Sequence, residues 1–129
     1  MTVGDRTLWC CRADLEELAT KPPPVGQWPV RLLYRFDPLL LATKDKWWLI
    51  DEAHYKKVWR PSAHVEAVLL VRGRIAGTWR YDRTSKLFRV QISPFATLTR
   101  AVTQAAHKQA AGIANFLGLQ LADVEIKSS

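Results

Sequence analysis

The chain has 129 residues, 48% apolar and 24% charged, the balance of one folded domain rather than of a disordered tail. Nineteen Lys and Arg against 12 Asp and Glu leave a formal charge of +7, which favours anionic partners such as nucleic acid and says nothing about fold. The two cysteines are neighbours, Cys10 and Cys11, which rules out a secreted disulfide framework, and no apolar run approaches the ~20 residues of a membrane span. A reduced, cytoplasmic setting with no membrane partner is the expectation.

The charge is uneven along the chain. Residues 1–30 carry three bases against four acids, 31–63 seven against four, 64–100 seven against two, and 101–129 are balanced. The positive excess therefore centres on 64–100.

In chain order, "TLWCC" (7–11) predicts a short strand and "ADLEELA" (13–19) one or two helical turns. "KPPPVGQWP" (21–29) cannot be regular structure, because proline fixes φ and lacks a donor. It marks a boundary between a leading segment, 1–29, and a main domain, 30–129. "VRLLYRF" (30–36) reads as a strand, "DKWWLI" (45–50) as a strand or turn, and "DEAHYKKVW" (51–59) as helical. A meander over 64–92 follows. Val65, Ala67, Leu69 and Val71 share one face of its first arm and Val68 and Leu70 the other, so both faces are expected to be covered. Arg72-Gly73 supplies the turn, since glycine tolerates positive φ. The second arm places Ile75, Gly77, Trp79 and Tyr81 on one face and Arg74, Ala76, Thr78 and Arg80 on the other. A second turn, Asp82 to Lys86, leads to a third arm with Phe88, Val90 and Ile92 inward and Arg89 and Gln91 outward. From about 98 to 117 the period becomes helical, with a stripe of Leu98, Val102, Ala105, Gln109, Gly112, Ile113 and Phe116 and Gly118 as the C-cap. "LQLADVEI" (119–126) is a closing strand. The expected fold is α+β: a small antiparallel β-barrel or strongly curved sheet with one long helix at about 98–117.

The chemistry is concentrated in cations. Arg74, Arg80 and Arg89 are expected on one outward face, with Arg72, Arg83 and Lys86 crowning the turns. This is either a phosphate-contacting surface, since guanidinium forks bind phosphate bidentately, or a solvated face that blocks edge pairing. Trp79 points to core packing rather than base stacking. His64 and Glu66 share a strand face, but His54 and His107 are distant, so no metal site is expected. No nucleophile constellation, phosphate-cradling loop or cofactor motif is present, and no catalytic residue is assigned.

An extended pattern adds to this. "RLLYRFDPLLLATKDKWWLID" (31–51), "VWRPSAHVEAVLLVRGRIAGTWRYDR" (58–83), "ISPFATL" (92–98) and "IANFLGL" (113–119) together resemble one family. It is the winged-helix DNA-binding-domain proteins that include the bacterial alkylpurine and interstrand-crosslink DNA glycosylases. "TLWCCRADLEEL" (7–18) is similar to the wing and linker leading into this region. The resemblance implies that the chain corresponds to the C-terminal, β-barrel-like part of longer proteins built from tandem winged helices. Phe36-Asp37 and Asp45-Lys46 match its structural motif, and Gly73, Arg74, Gly77 and Arg80 match its hairpin. It implies double-stranded DNA as partner, contacted through the phosphate backbone by Arg72, Arg74, Arg80, Arg83, Lys86 and Arg89. The family's catalytic Gln-x-Gln or Gln-x-Asp motif has no counterpart here. The expected role is thus a DNA-binding module without base excision of its own. The alternative is a non-catalytic interaction or scaffold fragment that completes a separately encoded winged-helix protein half.

Overall fold

The computed structural model describes residues 1–128. β1 (Thr2–Val3) and β2 (Arg6–Thr7) form a small antiparallel ribbon, followed by α1 (Leu15–Ala19). The strand expected over 7–11 stops at Thr7: Leu8 still exchanges hydrogen bonds with Met1, but Trp9 to Cys11 have no strand beside them and lie exposed. The proline-rich stretch ends against the body of the protein. Trp28 donates Nε1 to the Pro23 carbonyl at 2.7 Å, and its ring lies against Gly73.

The main sheet has five strands in the order β3 (Val30–Leu33), β6 (Val68–Val71), β7 (Arg74–Arg83), β8 (Leu87–Pro94), β9 (Gln120–Ile126), curled into a half-barrel. β6, β7 and β8 are the expected meander. Arg72 and Gly73, at φ 51° and 78°, make the two-residue turn between the first two. Gly73 is doubly constrained: a Cβ there would also sit 2.7 Å from the Trp28 ring. β9 pairs with β8 in parallel, so the sheet is mixed rather than antiparallel throughout. Its cause is α4 (Arg100–Phe116), which carries the chain back along the sheet before the last strand begins.

Both faces of the sheet are covered, as apolar residues on both sides of the first arm imply. α4 seals one face over Leu32, Leu69, Trp79, Phe88, Val90 and Ile92. α2 (Pro38–Leu41) and α3 (Glu52–Val58) lie in the other cluster, with Leu40, Leu49, Val58, Val65, Val68 and Ile75. Asp37 caps α2 by accepting from the Leu39 amide at 2.9 Å. Residues 45–50 form a turn rather than a strand, with the Leu49 and Ile50 amides both donating to the Lys46 carbonyl.

Three further differences from strict periodicity shape the site. The arm expected over 64–71 is broken at Glu66–Ala67: β5 (His64–Val65) pairs instead with β4 (Trp59–Arg60), which puts Val65 in the α2/α3 cluster while Ala67 and Leu69 face α4. β7 carries a bulge. Leu69 stands opposite Gly77 and Leu70 opposite Ile75, so Ala76 is the extra residue and alternation changes phase there. Ile75 then packs beside α2 and α3, and Trp79 beneath α4. Finally, α4 rests chiefly on Ala106, Ala110 and Ala114, all essentially buried, with only Leu98 and Ile113 of the stripe read from the sequence packed beside them. Small side chains at i, i+4 and i+8 let the helix lie close to the sheet. Phe116, from the expected stripe, is 87% exposed.

Candidate nucleic-acid interface

The break at Glu66–Ala67 produces the most unusual electrostatics in the molecule. Glu66 is 3% exposed, in a run of buried apolar residues. Its Oε1 accepts from Arg60 at 3.1 Å and from Arg80 at 3.3 Å, and the Arg35 guanidinium lies 3.5 Å from Oε2. His64 Nε2 is 3.4 Å away. Burial pushes the Glu66 carboxyl up. The hydrogen bond from Arg60 and the charges of Arg80 and Arg35 outweigh that and hold it below the ordinary carboxylate value. Each guanidinium keeps about half of its side chain in solvent: 48% for Arg35, 52% for Arg60 and 64% for Arg80. One buried carboxylate thus holds three cations in place, and the group remains net positive.

Each arginine comes from a different element. Arg60 ends β4, Arg80 lies in β7 beyond the bulge, and Arg35 sits in the turn after β3. That turn, closed by the Asp37 amide on the Tyr34 carbonyl, holds Phe36 at φ 59°, a conformation costly for a bulky side chain. Lys56 and Lys57 close α3, where its dipole favours cations. They line a groove of ≈ 340 Å³ with Arg60, Arg80 and Phe95. Phe95 is stacked on His54 at 4.2 Å between centroids, and the Lys57 ammonium lies 5.3 Å from its ring. A cluster of this kind binds phosphate through charge-assisted hydrogen bonds.

The six cations singled out from the sequence do not form one patch. β7 spans nine residue steps from Arg74 to Arg83, roughly 30 Å of strand. At one end Arg72 is exposed in the turn, and Arg74 is bound to Asp51 and to the Trp47 and Trp48 carbonyls, both at 3.3 Å. Arg80 joins the Glu66 cluster. Arg83 and Lys86 are exposed at the other end. Arg89 stands opposite Asp82, in a groove that also holds Asp123 and Glu125. The shared outward face expected for Arg74, Arg80 and Arg89 therefore holds for Arg80 and Arg89, which line that groove together, while Arg74 lies before the bulge and is bound by Asp51 at the start of α3.

Arg35, Arg60, Lys56 and Lys57 escaped the sequence reading, which took Glu66 only as a neighbour of His64 on one strand face. The available signal was Glu66 itself, a lone carboxylate in "HVEAVLL", where an uncompensated charge would be costly. Trp79, expected inward, is 1% exposed and donates Nε1 to the Leu33 carbonyl at 2.9 Å. Lys46 of the Asp45-Lys46 motif is buried, with its ammonium 5.4 Å from the Trp59 ring and bonded to the Thr43 carbonyl. That motif is structural here. Among the described residues no group of three or more His, Cys, Asp or Glu could hold a metal ion, and no helix is long and apolar enough to cross a membrane.

No curated protein matches the chain. Among solved structures it is similar to the Streptomyces sahachiroi DNA glycosylase AlkZ, with a TM-score of 0.74 and 29% identity over 95% of this chain and 32% of that one. It thus spans about a third of that protein's length. A family model described as DNA glycosylase AlkZ-like matches residues 1–116. The chain belongs to the AlkZ-like DNA glycosylase family.

Proposed function

We propose that this chain is a DNA-binding module, corresponding to the C-terminal, barrel-like part of its family, that grips the duplex backbone without sequence preference. The observation that carries this reading is the triad Arg35, Arg60 and Arg80, held half-exposed around buried Glu66. Lys56 and Lys57 extend the basic surface. Of the residues inferred from sequence, Arg80, Arg83 and Lys86 are the stronger proposed contacts and Arg72 and Arg89 the weaker. Arg74 is the weakest, because its guanidinium is already engaged. Phosphate contacts of this kind position a protein on DNA and release counterions, so they give affinity without base readout. Base excision is not proposed for this chain by itself. No glutamine here is followed two positions later by Gln, Asp or Glu.

Fluorescence anisotropy with labelled duplex DNA across a salt series tests the reading. Affinity should fall with salt, and the double variant Arg60→Ala/Arg80→Ala should bind more weakly, with a slope shallower by about one unit for each phosphate no longer neutralised. Binding that ignores salt, or a double variant indistinguishable from the parent, would remove it.

A second reading, docking onto a winged-helix protein half, is favoured by the leading segment. Leu8, Trp9, Leu15 and Leu18 are all exposed there, Trp9 at 97%. Apolar surface of that kind is characteristic of protein contacts.

A further inference from the structure

We infer that the surface beside the arginine triad is built for an unpaired DNA strand, with bases stacking in an aromatic groove while the phosphates follow the cations. This rests on the DNA-binding reading above and adds a preference for bases that are free to stack.

Three grooves adjoin. The one lined by Lys56, Lys57, Arg60 and Phe95 shares Arg80 with a second, of ≈ 450 Å³, lined by Tyr34, Arg35, Trp79 and Tyr81. The second shares Tyr34 and Tyr81 with a third, of ≈ 430 Å³, edged by Arg83 and Phe116. The path crosses β7 where its edge is open, because β6 pairs with it only as far as Thr78. Cations thus give way to aromatic rings along one continuous route.

The rings are exposed, and the two tyrosines are firmly backed. Tyr34, Tyr81 and Phe116 are 41%, 47% and 87% exposed. Tyr34 meets buried Trp79 at 5.2 Å between centroids, and Tyr81 meets buried Phe88 at 5.3 Å. A positively charged track beside rigid aromatic faces is the arrangement that holds single strands, since every base has a π-face whatever its sequence. Gly112 shapes the same groove. It lies inside α4, where glycine weakens a helix relative to alanine, yet a Cβ there would meet nothing within 4 Å. Packing does not require it. Gly112 lines the aromatic groove, and its missing side chain keeps that groove open.

The probes are a labelled oligothymidylate, an abasic strand of equal length and a duplex of equal length, each titrated by anisotropy. The oligothymidylate should bind about tenfold more tightly than the abasic strand. Phe116→Ala should reduce that advantage. Gly112→Gln, which fills the groove with a good helix former, should remove it while leaving duplex affinity and melting temperature at least as high as in the parent. Equal binding of abasic and base-bearing strands, or a Gly112→Gln protein that keeps the full advantage, overturns the inference while duplex binding stands. Loss of self-association in Phe116→Ala without any change in strand binding also overturns it, since the groove would then face a second copy of the chain. If none of the three probes binds at low salt, the DNA-binding reading itself fails.

Discussion

The two ends of β7 carry similar side chains and differ in what holds them. Near its start Arg74 meets Asp51, and after the bulge Arg80 meets Glu66. Asp51 is 74% exposed as a side chain and Glu66 4%. An exposed carboxylate is solvated with or without its partner, so the pair it makes contributes little. A buried carboxylate has no such alternative and must keep its cations, which are then fixed with their outer faces free. Similar ion pairs therefore do different work: one trims a turn, the other builds a surface. The location of the buried one follows from two irregularities, the strand break at Glu66–Ala67 and the bulge at Ala76.

The contrast can be broken at three strengths. Trp79→Ala removes the ring that backs Tyr34 and leaves the Leu33 carbonyl without its donor. It should cost about 3–5 kcal/mol by chemical denaturation and disorganise the far end of β7. A loss below about 1 kcal/mol would mean that this end is not anchored through the core. Glu66→Gln should cost about 1–2 kcal/mol, less than for a fully buried pair because its cations are half in water. It should also weaken duplex binding, although it removes a negative charge, because the triad loses its organiser. Tighter binding would show that net charge, not placement, controls affinity.

The same variant carries a pH signature. The folded carboxyl titrates below its ordinary value of 4.5, so its stabilisation is complete above that value and is lost as pH falls through the folded one. The stability gap between parent and Glu66→Gln should therefore narrow in acid below about 4.5 and stay constant at neutral pH. Asp51→Asn, the matching change at the other end, should alter stability by no more than about 0.5 kcal/mol and leave the salt dependence of DNA binding unchanged. An effect as large as that of Glu66→Gln would erase the distinction between the two ends.

Much of the scaffold was legible because simple periods were obeyed. Phe88, Val90 and Ile92 alternate inward as read, Arg72-Gly73 makes its turn, and the helix falls where the period changes to 3.6. The candidate site was hidden because the departures from period are local. Apolar residues on both faces let the sequence pass from Val65 to Val68 without marking a break. A one-residue bulge leaves no signature when Ala76 and Gly77 are both small. The buried face of α4 was read one position early, at Ala105, Gln109 and Ile113, because Ile113 and Phe116 set the stripe, whereas close packing selects Ala106, Ala110 and Ala114. Arg35, Arg60 and Arg80 have no telling spacing, since only tertiary structure brings a turn, a strand end and a mid-strand position around one carboxylate.

The parallel pairing of β8 with β9 has a consequence for how the protein assembles. The meander closes through tight turns between neighbouring segments, while the last strand must wait for an intervening helix to be laid down. Its loop-closure entropy is accordingly larger, and topology of this kind slows folding. The final strand should be the late arrival in refolding, and pulse-labelled amide exchange should find its hydrogens protected after those of the three central strands.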